Sequence, residues 1–481
     1  MCDRPRITDI RGGNSDMSAE KKNQPDIANI YQIDGRVPVG RAIPYGLQHV
    51  LAMFVANLTP ITLLAALAQP AISDADLGKL IQDAMFIAGI ATLLQLYPVW
   101  RIGSRLPIVM GVSFTFVSVL GVVAANYGYP VMIGAVLVGG LFEGLLGLLI
   151  RKVLRFIRPI VPATVVCGIG LSLFSVGVRS FGGGYTEDYG SPENLLVGGV
   201  TLLVCLIWMT QTRGYLRSLA VLAGLLVGYF LAACLGMVDF SKILDGGIVT
   251  VPHFLIFTPE FRLGPILSVC VVYLVSATET IGDTSALAVG ALGRNATEKE
   301  ISGALAVDGF ASSVSALFGC PPITSFSQNV GLVSMTKVVN RFTIMTGAAI
   351  LVLAGFFPPI GYFFSTVPQC VLGGCTILMF GQIFVSGVIM LSRCGFSQKN
   401  ITIAALSLAL GVGTTATSEA GIWDNAPEIV QDIFRSNVVA VVFVVALLLS
   451  FLLRDNMDSP TRHKRLVKTD PKNLPEQPEK E

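Results

Sequence analysis

Charge is scarce in this chain. Asp, Glu, Lys and Arg together make up 13% of its 481 residues, against roughly a quarter in an ordinary soluble domain. Hydrophobic residues account for 53%, and the mean hydropathy is +0.70. A water-soluble surface cannot be built from this material, so most of the chain must face lipid or other apolar helices. The net charge is only +2. The basic residues fall in short loops and form no single patch, which speaks against nucleic-acid binding. No C-x-x-C pair or metal-ligand spacing occurs among the nine cysteines. Cys167, Cys205, Cys234, Cys270 and Cys370 lie in apolar runs and read as small core residues. No G-x-x-x-x-G-K-[ST] loop is present, so ATP hydrolysis is not expected. Gly182-Gly183-Gly184 falls in a loop and reads as a turn. Met1 to Arg41 is polar, with no apolar stretch ahead of a cleavage site, and is not a secretory signal peptide. Neither a nucleophile–base set nor a metal cluster is visible, so the chain does not read as an enzyme and no metal or cofactor is expected.

What the chain has in abundance is apolar runs. Those long enough to cross hydrocarbon, about 20 residues each, fall at 44–67, 80–100, 107–124, 129–150, 159–178, 193–210, 217–238, 263–290, 300–318, 322–335, 341–364, 367–391, 400–416 and 435–453. The expected fold is an all-α polytopic membrane protein of fourteen segments. Spans 3 and 10 are short and interrupted by Gly, Pro and Ser, so neither reads as a full crossing.

Basic residues test this count independently. With the N-terminus inside, every even-numbered span ends in a cytoplasmic loop. Those loops hold Arg101 and Arg105; Arg151, Lys152, Arg155 and Arg158; Arg213 and Arg217; Arg294 and Lys299; Lys337 and Arg341; and Arg393 and Lys399. The tail holds Arg462, Lys464, Arg465 and Lys468. The opposite loops are poor in Lys and Arg, as at 125–128, Phe181 to Asn194 and the acidic stretch 419–432. Both termini are expected in the cytoplasm and the chain in the cytoplasmic (inner) membrane.

The two halves look related. Span 3 has Pro107-Ile108 followed by Ser113-Phe114; span 10 has Pro322-Ile323 followed by Gln328-Asn329. Aligning the prolines sets Ser113 on Gln328. Span 5 has Val161-Pro162 and Gly168, and span 12 has Val367-Pro368 and Gly374 at the same spacing. Seven spans per half is an odd number, so the second half is expected to be inverted. Inverted repeats with broken helices at matching positions mark secondary transporters, whose substrate binds near the midplane. Non-helical backbone at membrane depth is tolerated only where protein or a cavity surrounds it. Spans 3 and 10 should therefore face each other across a cavity, offering half-helix N-termini to a ligand.

Five ionisable side chains lie well inside predicted spans: His49, Glu143, Glu279, Asp283 and Asp308. A carboxylate at the bilayer centre costs about 2.5–3.5 kcal/mol on insertion scales, so such groups are usually functional. Glu279 and Asp283 share one helix face. Two close carboxylates in a low-dielectric cavity resist joint ionisation, so the pair is suited to carrying a proton. Asp308 is suited either to touching ligand or to pinning the broken backbone of span 10. His49 reads as a packing or hydrogen-bonding residue, and Glu143 as structural or pore-rim.

The run Ser327-Gln328-Asn329-Val330-Gly331-Leu332-Val333-Ser334-Met335-Thr336-Lys337 resembles the signature of the nucleobase–ascorbate transporter family, also called nucleobase:cation symporter 2. The family pattern is [Gln/Glu/Pro]-Asn-x-Gly-x-x-x-x-Thr-[Arg/Lys/Gly], and every fixed position is satisfied. Glu279-Thr280-Ile281-Gly282-Asp283, Gly168-Ile169-Gly170-Leu171-Ser172-Leu173, Gly236-Met237-Val238-Asp239-Phe240 and Val371-Leu372-Gly373-Gly374 look like the family's bacterial xanthine permeases. The likeness covers roughly residues 40–453.

The resemblance implies two inverted seven-segment repeats, 41–240 and 260–453, between cytoplasmic tails 1–40 and 454–481; residues 1–35 and 455–481, which it does not cover, are polar and read as disordered. Spans 1–4 and 8–11 would form a core domain carrying substrate, and spans 5–7 and 12–14 a gate domain, in a homodimer. It implies a substrate-binding role for Glu279 and Gln328, essential polar roles for Asp283, Asp308, Asn329 and His49, and a purine-tuning role for Ser113. Chemistry agrees: a carboxylate accepts two N–H donors of a planar base, and a Gln amide pairs with an adjacent N–H and C=O. Phe114, Phe116 and Phe326 are candidates for stacking. Uracil permeases of the family tend to have Glu where Gln328 stands, which favours a purine. Xanthine-restricted members often have Asn where Ser113 stands, and the smaller hydroxyl leaves room for the C8 oxygen of urate.

The function so implied is a proton-coupled symporter importing xanthine, uric acid or both, driven by the proton gradient. A uracil:proton symporter of the same family is the alternative. An anion exchanger of similar architecture needs a positive or neutral site, which Glu279 and Asp283 oppose. A membrane receptor lacks any soluble domain to pass on a signal.

Overall fold

The structure, a computed structural model, describes residues 27–149, 158–184, 186–244, 247–417, 420–435 and 437–453. Most of the N-terminal tail, the loop residues Arg151, Lys152 and Arg155, and the tail 454–481 with Arg462, Lys464, Arg465 and Lys468 lie outside the described residues.

The helices are α1 Val39–Leu67, α2 Asp74–Leu96, α3 Val117–Tyr127, α4 Tyr129–Leu148, α5 Ile160–Phe181, α6 Pro192–Gln211, α7 Ala220–Cys234, α8 Leu263–Leu292, α9 Glu298–Leu317, α10 Ser327–Thr336, α11 Arg341–Ala354, α12 Pro358–Ser365, α13 Gln369–Cys394, α14 Gln398–Ala416, α15 Glu428–Phe434 and α16 Val438–Leu452. Strand β1, Met110–Val112, precedes α3, and strand β2, Ile323–Ser325, precedes α10. Apart from these two three-residue strands, the regular structure of the described residues is helical, as expected.

Seven helices, α1, α2, α4, α5, α6, α8 and α13, are long and apolar enough to cross a membrane by length and composition. Expected span 11 is built from two helices, α11 and α12, which are apolar enough together and are bent by 78°. The break falls at Pro358-Pro359, which occupy the first turn of α12, where missing N–H groups cost least. Helix starts follow local chemistry. Ser73 Oγ accepts from Asp76 N, and Asp74 and Asp76 put negative charge at the N-terminus of α2. Thr297 and Glu300 form a reciprocal capping box at α9.

The basic loop residues have a structural task on one face of the protein. Arg341 donates to Leu96 O at the end of α2, and Arg101 to Leu148 O at the end of α4. Lys337 reaches Gly290 O near the end of α8, and Lys399 reaches Leu453 O past α16. Each satisfies an orphan carbonyl where the helix dipole is negative.

Two groups of helices pack tightly within themselves. In one, α4 lies against α8 and α9, and α11 against α1 and α2. In the other, α13 lies against α5 and α6, α7 against α6, and α16 against α5 and α14. Small residues permit the closest approaches, as is usual between membrane helices. A Cβ on Gly309 of α9 would stand 2.0 Å from Gly144 N of α4, and one on Gly387 of α13 2.5 Å from Cys167 N of α5. Contacts between the groups are sparser and run chiefly from α8 to α5, α15 and α16 and from α1 to α7.

The tail read as disordered up to residue 35 is ordered from residue 27. Ile27–Tyr31 forms a helical turn, and Ile30 and Val37 bury against Ala42 and Val338. Asn340 Nδ2 donates to the carbonyls of Asn29, Gln32 and Gly35. Two apolar residues and one buried amide are enough to dock a polar segment.

Gly309→Ala is expected to force α4 and α9 apart and to destabilise by about 1–3 kcal/mol, the usual cost of overpacking. Thermal unfolding in detergent reads this as a lowered midpoint, with Gly413→Ala, whose Cβ would meet nothing within 4 Å, as the unchanged control.

Candidate functional site

Six residues of extended backbone sit in the middle of the first helix group. β1 and β2 pair antiparallel, with Met110 opposite Ser325, Gly111 opposite Thr324 and Val112 opposite Ile323. Flanking bonds from Ser113 N to Pro322 O, 3.0 Å, and from Phe326 N to Val109 O, 2.9 Å, extend the ladder. The outer edges must find partners too, because water is absent. Asn57 Oδ1 accepts from Val112 N at 2.7 Å, and Thr92 Oγ1 from Met110 N at 2.9 Å. Ser312 Oγ accepts from Ile323 N and donates to Ile323 O. Asp308 Oδ2 accepts from Ser325 N at 3.4 Å and from Thr280 Oγ1.

Beside the strands lies a cavity of about 220 Å³. One wall is Ser113, Phe114 and Thr115 after β1, Thr324 to Gln328 around β2, and Glu279 of α8. The other wall is Val166 and Ile169 of α5 with Gln382, Ile383 and Ser386 of α13. The cavity therefore lies on the seam between the two helix groups. The first turn of α10 borders it, and Phe326 offers that helix no side-chain cap. At the matching turn before α3, Ser113 Oγ accepts from Thr115 N at 3.3 Å. A second cavity of about 320 Å³ shares Gln328 and Gln382 with the first. Met335, Met209 and Arg217 are among its other lining residues.

Glu279, Gln328, Ser113 and Phe114 all line the first cavity. Thr115 Oγ1 donates to Glu279 Oε2 at 2.6 Å, leaving Oε1 for a ligand donor. Phe114 also packs edge-on against Phe380 of α13, with centroids 5.5 Å apart. Phe326 lines the cavity; Phe116 is turned away against Tyr273.

The other expected residues stand one layer back. Asp283 Oδ2 accepts from Ser325 Oγ at 2.9 Å and Ser327 Oγ at 2.8 Å. Asp308 is fully buried and holds β2, which fits the pinning reading. Asn329 is buried and donates to His49 O at 3.3 Å, tying α10 to α1; it does not border the cavity. His49 is 1% exposed, and its Nδ1 has no hydrogen-bond partner. Sequence reasoning missed Asn57, Thr92, Thr115 and Ser312, along with the α5 and α13 wall. The signal available was the hydrogen-bond requirement of broken spans at membrane depth, which calls for buried polar side chains on neighbouring helices.

Comparison with known proteins adds the following. A family model described as a permease family matches residues 40–420. The xanthine permease of Bacillus subtilis (strain 168) is 32% identical, over 85% of this chain and 93% of its own length. The uric acid permease PucJ of the same organism is 34% identical, over 86% and 93%. The xanthine permease XanQ of Escherichia coli (strain K12) is 34% identical, over 81% and 87%. Among solved structures, the transmembrane domain of a cyanobacterial bicarbonate transporter, BicA, has a TM-score of 0.55 at 16% identity, covering 86% of this chain and 97% of that one. That likeness concerns the fold alone.

Asn57→Ala is expected to leave Val112 N–H buried and unpaired, at about 1–3 kcal/mol. A lowered unfolding midpoint in detergent checks it; an unchanged midpoint would mean that β1 is held by its ladder alone.

Proposed function

The chain belongs to the permease family matched over residues 40–420, a family of transporters and not of enzymes, and from that premise we propose that it is a proton-coupled symporter importing xanthine, uric acid or both. The observation that carries this reading is a neutral-to-acidic cavity in which Glu279 and Gln328 stand together. Glu279 Oε1 accepts ring N–H groups, Gln328 pairs with a neighbouring N–H and C=O, and the first turns of α3 and α10 meet the ring carbonyls. Phe114 and Phe326 bound the ring on its faces. The relatives named for xanthine and uric acid favour oxidised purines over uracil.

The proposal extends to architecture. We read the chain as fourteen segments in two inverted repeats, embedded in the cytoplasmic membrane with both termini inside and assembled as a homodimer. Met110 and Ser325, each three residues past its own proline, pair directly with one another across the ladder, as an axis relating the repeats requires. The tight first helix group is the core domain, with α1–α4 and α8–α12. The second group is the gate, with α5–α7, α13, α14 and α16. Sparse contacts between them support movement of core against gate. Arg and Lys side chains closing helix ends on one face support the assignment of that face to the cytoplasm.

Coupling rests on Asp283 and Asp308, which meet Ser325 from two helices. Inward proton flow then makes import the direction of net transport.

Expressed in a host lacking its own purine permeases, the chain is expected to take up labelled xanthine or urate in a protonophore-sensitive manner. Glu279→Gln or Gln328→Ala abolishes that uptake while the protein stays in the membrane. Uptake indifferent to protonophore sinks the coupling, and uptake of uracil alone sinks the purine assignment. Ser113→Asn is expected to shift the urate-to-xanthine uptake ratio toward xanthine by roughly tenfold, the range one pocket contact commands.

A further inference from the structure

Glu143 takes no part in the substrate cavity. It stands on α4 with 0% of its surface exposed, and neither carboxyl oxygen has a hydrogen-bond partner. Asp308 on α9 is also 0% exposed. Its Oδ1 is likewise unpartnered, while Oδ2 is held by Thr280 Oγ1 and Ser325 N. The fold brings the two acids together: each directly precedes a glycine of the Gly144–Gly309 crossing, where the α4 and α9 backbones touch. Asp308 is the charged group acting most strongly on Glu143, and Glu279 follows; Ser276 and Tyr273 of α8 are its other polar neighbours. Glu298, Lys299 and Glu300 lie at the far end of α9, and Tyr127 of α3 precedes the start of α4. No Lys, Arg or His is among the described residues acting on Glu143.

Among the described residues, Ser276 Oγ is the one side-chain donor near Glu143, and an ionised carboxylate with a single hydroxyl near it and no counter-ion is not the resting form in an apolar core. A proton is the smallest partner that removes the charge, and among the described residues no group of three acids, histidines or cysteines could hold a metal there. Asp308 is linked onward: Thr280 Oγ1 lies 3.3 Å from Ser325 Oγ, which donates to Asp283 at 2.9 Å. Ser325 itself borders the purine cavity.

We propose that Glu143 is a proton-holding site of the core, exchanging its proton with Asp308 and joined to the substrate cavity through Thr280, Ser325 and Asp283. The inference rests on the proton-coupled reading and deepens it. In the first step the acid Glu143 gives its proton to ionised Asp308, leaving a protonated Asp308 and, transiently, an ionised Glu143 beside the Ser276 hydroxyl. In the second, the Thr280 hydroxyl turns from Asp308 toward Ser325; Asp308 then protonates the Thr280 oxygen as the Thr280 proton moves to Ser325 and the Ser325 proton to Asp283. One O–H bond forms for each that breaks, and total charge is unchanged.

Glu143→Gln keeps the size and fixes the neutral form. In proteoliposomes, exchange of labelled for unlabelled purine without a proton gradient is expected to stay within about twofold of wild type. Accumulation driven by a pH gradient is expected to fall roughly tenfold or more, and its pH profile to flatten. Glu143→Asp restores part of the accumulation. Equal gradient-driven accumulation by wild type and Glu143→Gln overturns the proposal. Loss of exchange and accumulation together, with normal purification, overturns it in favour of a packing role. Infrared difference spectra between acidic and alkaline pH separate it from the substrate assignment: a buried carboxylic C=O band that vanishes in Glu143→Gln is expected whatever the cargo, and its absence in wild type refutes the inference. Wild type that shows the band but exchanges no purine refutes the proposed cargo instead.

Discussion

Six residues of extended backbone in the middle of an apolar bundle set the terms for everything around them. Each N–H and C=O there must be paired, since hydrocarbon offers no substitute and each failure costs several kcal/mol. The β1–β2 ladder pairs the inner edges. The outer edges draw polar side chains from three helices: Asn57 from α1, Thr92 from α2, and Asp308 and Ser312 from α9. Those helices must then approach closely, and the glycines at the α4–α9 crossing allow the bundle to close behind them. The cavity follows from the same break. Where a strand gives way to a half-helix, backbone donors and small hydroxyls border open space that a continuous helix would have filled with side chains.

All of these bonds lie inside one helix group. The wall supplied by α5 and α13 touches the site through van der Waals contact, as in the edge-on packing of Phe114 and Phe380. One group can therefore shift against the other without breaking any bond that holds β1, β2 or Glu279. Gln328 and Gln382 border both cavities, so the two spaces meet along the seam between the groups. Tight packing within each group and few contacts between them are the two conditions that such a rigid-body shift needs.

The sequence made the strongest elements plain. α8, Leu263–Leu292, falls almost on the expected 263–290, because an apolar run bounded by Arg262 and Gly293 has little freedom to be anything else. The short spans were legible as breaks from Pro107 and Pro322, yet not as strands: three residues carry no usable period. Glu279 and Gln328 were legible from charge cost and the motif. Asn57 and Thr92 were not, because a single polar residue in an apolar helix has no pattern until its partner is known. Asn329 sits inside the motif but spends its amide on His49 O, a distinction that adjacency in sequence cannot draw. The bend at Pro358 was hidden by unbroken hydropathy across residues 341–364.

A fold shared with a bicarbonate transporter does not decide what passes, since cargo is set by side chains placed on the fold. The half-helix starts of α3 and α10 would welcome an anion by themselves. Glu279 stands in the same cavity, and Arg217, in the second cavity, is the only basic side chain among the residues lining the two. A small free anion would gain from the helix ends and lose to the carboxylate beside them. A planar ligand with N–H groups on one edge and carbonyls on the other satisfies both at once. On the proposed reading, the opposition between Glu279 and the two helix ends is what selects a molecule that carries both kinds of edge.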